Sequence, residues 1–138
     1  MGLDMYAYKT KAKFTKDTDF TDEIYGKTED GEIDYANQVV DIEEIAYWRK
    51  HPDLHGWMED LYQKKGGTEA SFNGDPLVLT EEDLDELKIT VLTGKLPSTT
   101  GFFFGTSREE INFADLEFIE KAKEAIGKGY TVYYDSSW

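Results

Sequence analysis

Cysteine is absent from this chain of 138 residues. Without thiols there is no disulfide framework, no thiolate metal site and no cysteine nucleophile, and a cytoplasmic protein (host-cell cytoplasm, if phage-encoded) is the expectation. Long apolar runs are missing too. No stretch approaches the roughly 20 residues that a membrane-spanning helix needs, and the first residues lack the basic-then-apolar layout of a secretory leader. No membrane contact is therefore expected. The Gly-x-x-x-x-Gly-Lys phosphate loop, the Gly-x-Gly-x-x-Gly turn and the Gly-x-Ser-x-Gly elbow are all absent. That removes the common nucleotide-driven enzymes and serine hydrolases, so catalysis is not expected and no cofactor is implied. Positive charge is scarce: 15 Lys and Arg stand against 29 Asp and Glu, a net −14. Direct nucleic-acid binding needs clustered Lys and Arg to neutralise phosphates, and this balance argues against it. An acidic exterior serves solubility, or it meets a partner protein with a basic surface.

What is present suffices for a core. Apolar residues make up 39% and aromatics 14% of the chain, enough for one domain spanning 1–138. Leu3, Met5 and Ala7 alternate with Asp4, Tyr6 and Tyr8, which predicts a half-buried strand at the start. Residues 38–47 fit either a strand or a short helix, and we favour a strand at about 43–48. Leu77-Val78-Leu79 and Tyr130–Tyr134 predict two more strands. Thr80-Glu81-Glu82-Asp83 has the form of a capping box, opening a helix whose buried face is Leu84, Leu87 and Val91, widened by Ile89 and Leu92, and which Gly94 ends. A third helix is expected over about 113–127, capped by Asn112, with Leu116, Ile119, Ala122 and Ile126 inward. Phe102-Phe103-Phe104 fill the core or wall a pocket. The terminal Trp138 is expected to pack. Together these elements predict an α+β fold, a small mixed or largely antiparallel sheet packed against about three helices.

One stretch organises the rest. Leu54, Trp57, Met58, Leu61 and Tyr62 share one face of a helix expected at about 52–65, with Pro52 in its first turn, His51 as N-cap and Gly66-Gly67 as its stop. Its start gathers Tyr47, Trp48, Arg49, Lys50, His51 and His55. Cations beside free helix N–H groups make an anion site, so a small anionic ligand such as a nucleotide is one reading. His51 and His55 stand at metal-clamping spacing, but a third ligand is lacking and no metal site is expected. His55 is expected to pair with Glu59 on the surface.

The second candidate region is acidic. Residues 17–34 carry Asp17, Asp19, Asp22, Glu23, Glu29, Asp30, Glu32 and Asp34 against Lys27 alone, a net −7 and half the excess of the chain. Glu29-Asp30-Gly31-Glu32 reads as a turn joining two ragged strands. With Glu81 and Glu82, these acids are the candidate contact surface for a basic partner.

Several motifs carry a resemblance. Met1-Gly2-Leu3-Asp4-Met5-Tyr6, Tyr47–Lys50 followed by His55 and Trp57, Leu96-Pro97 leading into Gly101–Gly105, and Tyr133–Trp138 resemble a family of small phage and prophage proteins that often carry the label phosphoglycerate kinase. The acidic stretch 17–34 departs from that family's pattern. A phosphoglycerate kinase is a much larger two-domain enzyme whose phosphate-binding apparatus has no counterpart here. The resemblance instead implies a phage-type accessory protein that acts by binding, such as an inhibitor of a host protein that defends against phage or handles nucleic acid.

Overall fold

The computed structural model describes residues 2–97 and 111–138, apart from the side chains at 111 and 112. Strand β1 (Asp4–Thr10) leads through residues 11–20 to a single helical turn α1 (Thr21–Ile24). A hairpin of β2 (Tyr25–Lys27) and β3 (Ile33–Gln38) follows, then β4 (Glu43–Arg49) and helix α2 (Pro52–Lys64). Strand β5 (Leu77–Leu79), helices α3 (Glu81–Leu92) and α4 (Ile111–Gly127) and strand β6 (Thr131–Ser137) complete the order. The main sheet is antiparallel throughout, in the order β4-β1-β6-β5. This is the expected α+β architecture. None of the described helices is long and apolar enough to cross a membrane.

Period-two alternation in β1 and β6 gives each face of the sheet its own partner. Leu3, Met5, Ala7, Trp48, Val132 and Tyr134 face α2, α3 and α4, whose Leu54, Met58, Leu84, Leu87, Phe118, Ile119 and Ala122 close the main core. On the opposite face Tyr133 packs with Phe20 and Ile24, flanked by Tyr8, Phe14, Tyr25 and Val40. The acidic stretch therefore forms a lid on the sheet, anchored by Phe20 (0% exposed) and by a Val78 N–H bond to the Asp17 carbonyl at 2.8 Å. Phe14 and Phe20 stack at 4.2 Å between ring centres, and Phe20 meets Tyr133 edge-on at 5.5 Å.

Local chemistry sets the element ends. In the capping box the Asp83 N–H donates to the Thr80 hydroxyl at 3.2 Å and the Thr80 N–H to the Asp83 carboxylate at 2.9 Å. The hairpin turn 28–31 closes through the Gly31 N–H bond to the Thr28 carbonyl, with Gly31 at φ +84°. Three expectations are corrected. Asn112 lies inside α4, which already includes Ile111, so it does not precede the helix; the penalty for asparagine within a helix is modest, and its type alone does not place the boundary. Ile89 and Leu92 point outward, 64% and 62% exposed, because they lie off the Leu84–Leu87–Val91 stripe. The last strand runs on to Ser137, since β1 offers partners along its whole length. Residues 102–104 fall outside the described residues.

Helix α2 ends where Gly66 takes φ +90° and Gly67 lies so close to Tyr62 that an added Cβ would sit 2.3 Å from its ring. Tyr62 is fully buried and cannot swing clear. Gly67→Ala should cost about 1–3 kcal/mol through this overlap, measured by urea unfolding; an unchanged midpoint would show that the ring yields.

Candidate functional site

The start of α2 divides its residues between inside and outside. Trp48, alternating with exposed Tyr47 and Arg49 on β4, turns into the core at 4% exposure. Lys50 adopts φ +56°, which breaks the strand and admits His51 to the interior. His51 occupies the N-cap position but makes no capping bond through its side chain. Its Nε2 instead lies 2.8 Å from Oδ2 of Asp115, whose Oδ1 accepts the Trp48 indole N–H at 3.0 Å. Asp115 is 0% exposed, so both oxygens are satisfied inside the core.

His55, one turn further along α2, is also buried. This corrects the surface pairing with Glu59: the ring stacks on Phe72 and its Nδ1 lies 2.6 Å from the Tyr134 hydroxyl. Burial lowers its pKa to about 4, so the ring is neutral at physiological pH. Thus the structure keeps Tyr47, Arg49 and Lys50 outside, and it sends Trp48, His51 and His55 inward to separate partners. The small cleft beside Trp48, about 180 Å³, is bordered by Glu117 and Lys121, not by the Arg-Lys-His corner. Among the described residues no group of three or more His, Asp or Glu could hold a metal ion.

The acids of 17–34 serve different ends. Glu23 accepts from the Thr15 N–H and hydroxyl, both at 2.9 Å. Asp19, at φ +56°, accepts from the Tyr62 hydroxyl and from the Thr68 N–H and hydroxyl. Asp34 accepts from the Ala36 N–H, and Asp22 stands 4.0 Å from Lys27. Asp17, Glu29, Asp30 and Glu32 remain exposed, the last three at the hairpin tip, while Glu81 and Glu82 are exposed on the first turn of α3. A cleft of about 280 Å³ opens between Asp19, Asp22, Glu69 and Asp75.

The feature that sequence reasoning missed is a row of tyrosines on the sheet face away from the helices. Tyr47 meets Tyr6 at 5.3 Å, Tyr6 stacks on Tyr8 at 5.9 Å, and Tyr8 meets Tyr133 at 5.3 Å. Tyr25 and Tyr35 of the hairpin add a further pair at 5.1 Å. Carboxylates are interleaved. Asp4 accepts from the Tyr47 hydroxyl at 2.6 Å; Asp4, Glu44 and Asp135 all lie close enough to Tyr6 to raise its pKa, after burial as the main cause. Burial and the same neighbours Asp135 and Glu44 push Tyr8 well above the ordinary tyrosine range. The alternation of Tyr6, Tyr8 and Tyr133 along two adjacent strands carried this signal. The pairing of β1 with β4, which brings Tyr47 beside Tyr6, is not displayed by the sequence.

A second missed feature is the lysine run Lys9, Lys11, Lys13. Lys11 and Lys13 donate to the carbonyls of Lys128 and Gly129 at 3.1 and 3.0 Å, and Lys9 and Lys11 lie over the Tyr130 ring at 4.6 and 4.0 Å. They answer the negative end of α4.

Asp135 and Asp115 give two tests. Burial raises the Asp135 pKa to about 7, against a bond from the Ser136 N–H and with a smaller contribution from Asp75. Its folded pKa thus exceeds its unfolded one, near 3.9. The resulting stability is complete below pH ~4 and is lost as pH rises through 7. Asp135→Asn should therefore raise the melting temperature most at pH 8, with the gain vanishing toward pH 4; a gain independent of pH would refute this. Asp115→Ala removes the acceptor of the Trp48 N–H and the carboxylate beside His51, and should cost about 3–5 kcal/mol in denaturant unfolding, against less than 0.5 kcal/mol for the exposed control Glu117→Ala. The chain matches no family model, no curated protein and no solved structure.

Proposed function

We propose that this chain is a non-enzymatic binding protein that takes up a Lys- or Arg-rich segment of a partner protein on its tyrosine and carboxylate face. The observation that carries the reading is the row Tyr47–Tyr6–Tyr8 with Asp4 bonded to Tyr47, Glu44 opposite Tyr8 and Asp135 opposite Tyr6. Tyrosine faces attract cations through their quadrupole, and adjacent carboxylates add charge and hydrogen-bond acceptors. Tyr47 is 49% and Tyr35 68% exposed, a large aromatic offering for a surface. The exposed acids at the hairpin tip (Glu29, Asp30, Glu32) and Glu81 and Glu82 extend the same sign of charge, which steers a basic partner toward the molecule.

The resemblance to small phage proteins supports a host protein as the partner, one whose basic surface handles nucleic acid or serves defence. Competition with nucleic acid for that surface is the mode of inhibition such chemistry favours. The alternative, a small anionic ligand at Tyr47, Arg49 and Lys50, rests on two exposed cations without the histidines.

Titration of an arginine-rich peptide, followed by tyrosine fluorescence, tests the proposal. Binding should weaken as salt rises, and Tyr47→Ala should weaken it roughly fivefold, about 1 kcal/mol, with a further loss on Glu44→Gln. Binding that ignores salt, or that prefers inorganic phosphate or a nucleotide over the peptide, would overturn it.

A further inference from the structure

We infer that the free edge of β4 is the contact between two copies of this chain, joining their sheets into one continuous antiparallel sheet. Among the described residues β4 ends the sheet order and pairs on one side only, with β1. The orientation of its backbone follows from one bond. Lys50 N–H donates to the Leu3 carbonyl at 2.8 Å, and the register that sets Asp4 opposite Arg49 sets Leu3 opposite Lys50. That is a hydrogen-bonded pair, so Met5/Trp48 and Ala7/Ala46 are hydrogen-bonded too, and the alternate residues Arg49 and Tyr47 aim their N–H and C=O groups at the free edge. The register then steps between Ala7 and Tyr8, leaving Ile45 as the extra residue and making Glu44, opposite Tyr8, the next to face outward.

Glu44, Tyr47 and Arg49 are thus evenly stepped along the open edge once the bulge is discounted. The strand is self-complementary at these positions. A second copy laid antiparallel about a two-fold axis at Tyr47 sets each Glu44 against Arg49 of the other copy, twice, with Tyr47 beside Tyr47. On each side of the axis the bulged stretch 44–47 of one copy faces the regular stretch 47–49 of the other, so the extra residue Ile45 is taken up as it is against β1, two residues opposite one. The three side chains also share one face, because Tyr47 lies on Tyr6, Arg49 stands opposite Asp4 and Glu44 opposite Tyr8. Neither Glu44 nor Arg49 takes part in an ion pair among the described residues. An edge strand of seven residues without proline keeps unpaired backbone groups even with its bulge and charged side chains, and a two-fold pair satisfies those groups and closes the assembly. A shift of two residues would set Glu44 against Tyr47 and forfeit both ion pairs. Tyr47 keeps its ring on the sheet face in this arrangement, so the two tyrosine rows become neighbours while remaining open to a ligand.

The test uses the full chain without any peptide, so its outcome is separate from that of the binding experiment. Sedimentation velocity should give twice the chain mass. Glu44→Arg should return it to one chain, and Glu44→Arg with Arg49→Glu should restore the dimer, each variant being checked as folded by circular dichroism. Because the protein has no cysteine, Tyr47→Cys is a clean probe: paired residues about 5.5 Å apart lie within disulfide reach. It should oxidise to a linked dimer, whereas Glu86→Cys on α3 should not. A single-chain mass across the concentration series overturns the inference. So does a dimer that survives Glu44→Arg and fails to cross-link at position 47.

Discussion

The carboxylate of Asp115 holds three elements in one geometry. One oxygen receives the indole of Trp48 from β4, the other meets His51 at the start of α2, and the aspartate itself belongs to α4. A carboxylate with no exposure is expensive to bury unless both oxygens are satisfied, so the edge strand, the helix start and the last helix are placed together or not at all. Trp48 then packs edge-on against Phe118, one turn along α4, at 4.9 Å between ring centres. The polar contact fixes where the elements meet, and the aromatic contact supplies the buried area around it.

This arrangement decides where recognition can occur. A helix start with Arg49, Lys50 and His51 resembles an anion site while it is read as a string. Once Trp48 and His51 are drawn inward by Asp115, only Arg49 and Lys50 remain at the surface, and Arg49 stands across from Asp4. The helical side of the sheet is filled by the main core. Among the described residues, what the sheet leaves partly open is its other face, where residues 14–42 pack on Tyr133 while Tyr6 stays half-buried and Tyr47 exposed. The free tyrosines and the carboxylates beside them are a consequence of a lid narrower than the sheet it covers.

Much of the fold was legible in the sequence because its signals are local. The Leu54–Tyr62 spacing, the Thr80–Asp83 box and the Met5/Ala7 alternation each occupy a single element, and each appears in the structure as read. The histidine partners were not legible. His51 and Asp115 lie 64 residues apart, and His55 and Tyr134 lie 79 apart, so spacing along the chain suggested an N-cap for His51 and a surface pair with Glu59 for His55 instead. The acidic stretch was legible in part, its turn and two short strands appearing as read. Its charge count was plain, yet Phe14, Phe20 and Ile24 around it decide that the segment lies down on the sheet. A few apolar anchors outweigh many exposed acids in setting a position, because an exposed charge keeps its hydration wherever the backbone goes while a buried ring does not.

The same reasoning limits what the net charge of −14 can mean for binding. Asp115, Asp19 and Glu23 are held by internal donors rather than offered to a partner, and burial raises the Asp135 pKa to about 7. Lys9, Lys11 and Lys13 concentrate positive charge at the far end of α4. The field is therefore lopsided: cations collect where α4 presents its negative end, and exposed carboxylates stand at Glu44 beside the tyrosines and at the hairpin tip. A basic partner approaching from solution meets that asymmetry first, within a screening length of about 8 Å at physiological salt. The tyrosine rings then supply the short-range contact that charge alone cannot make specific.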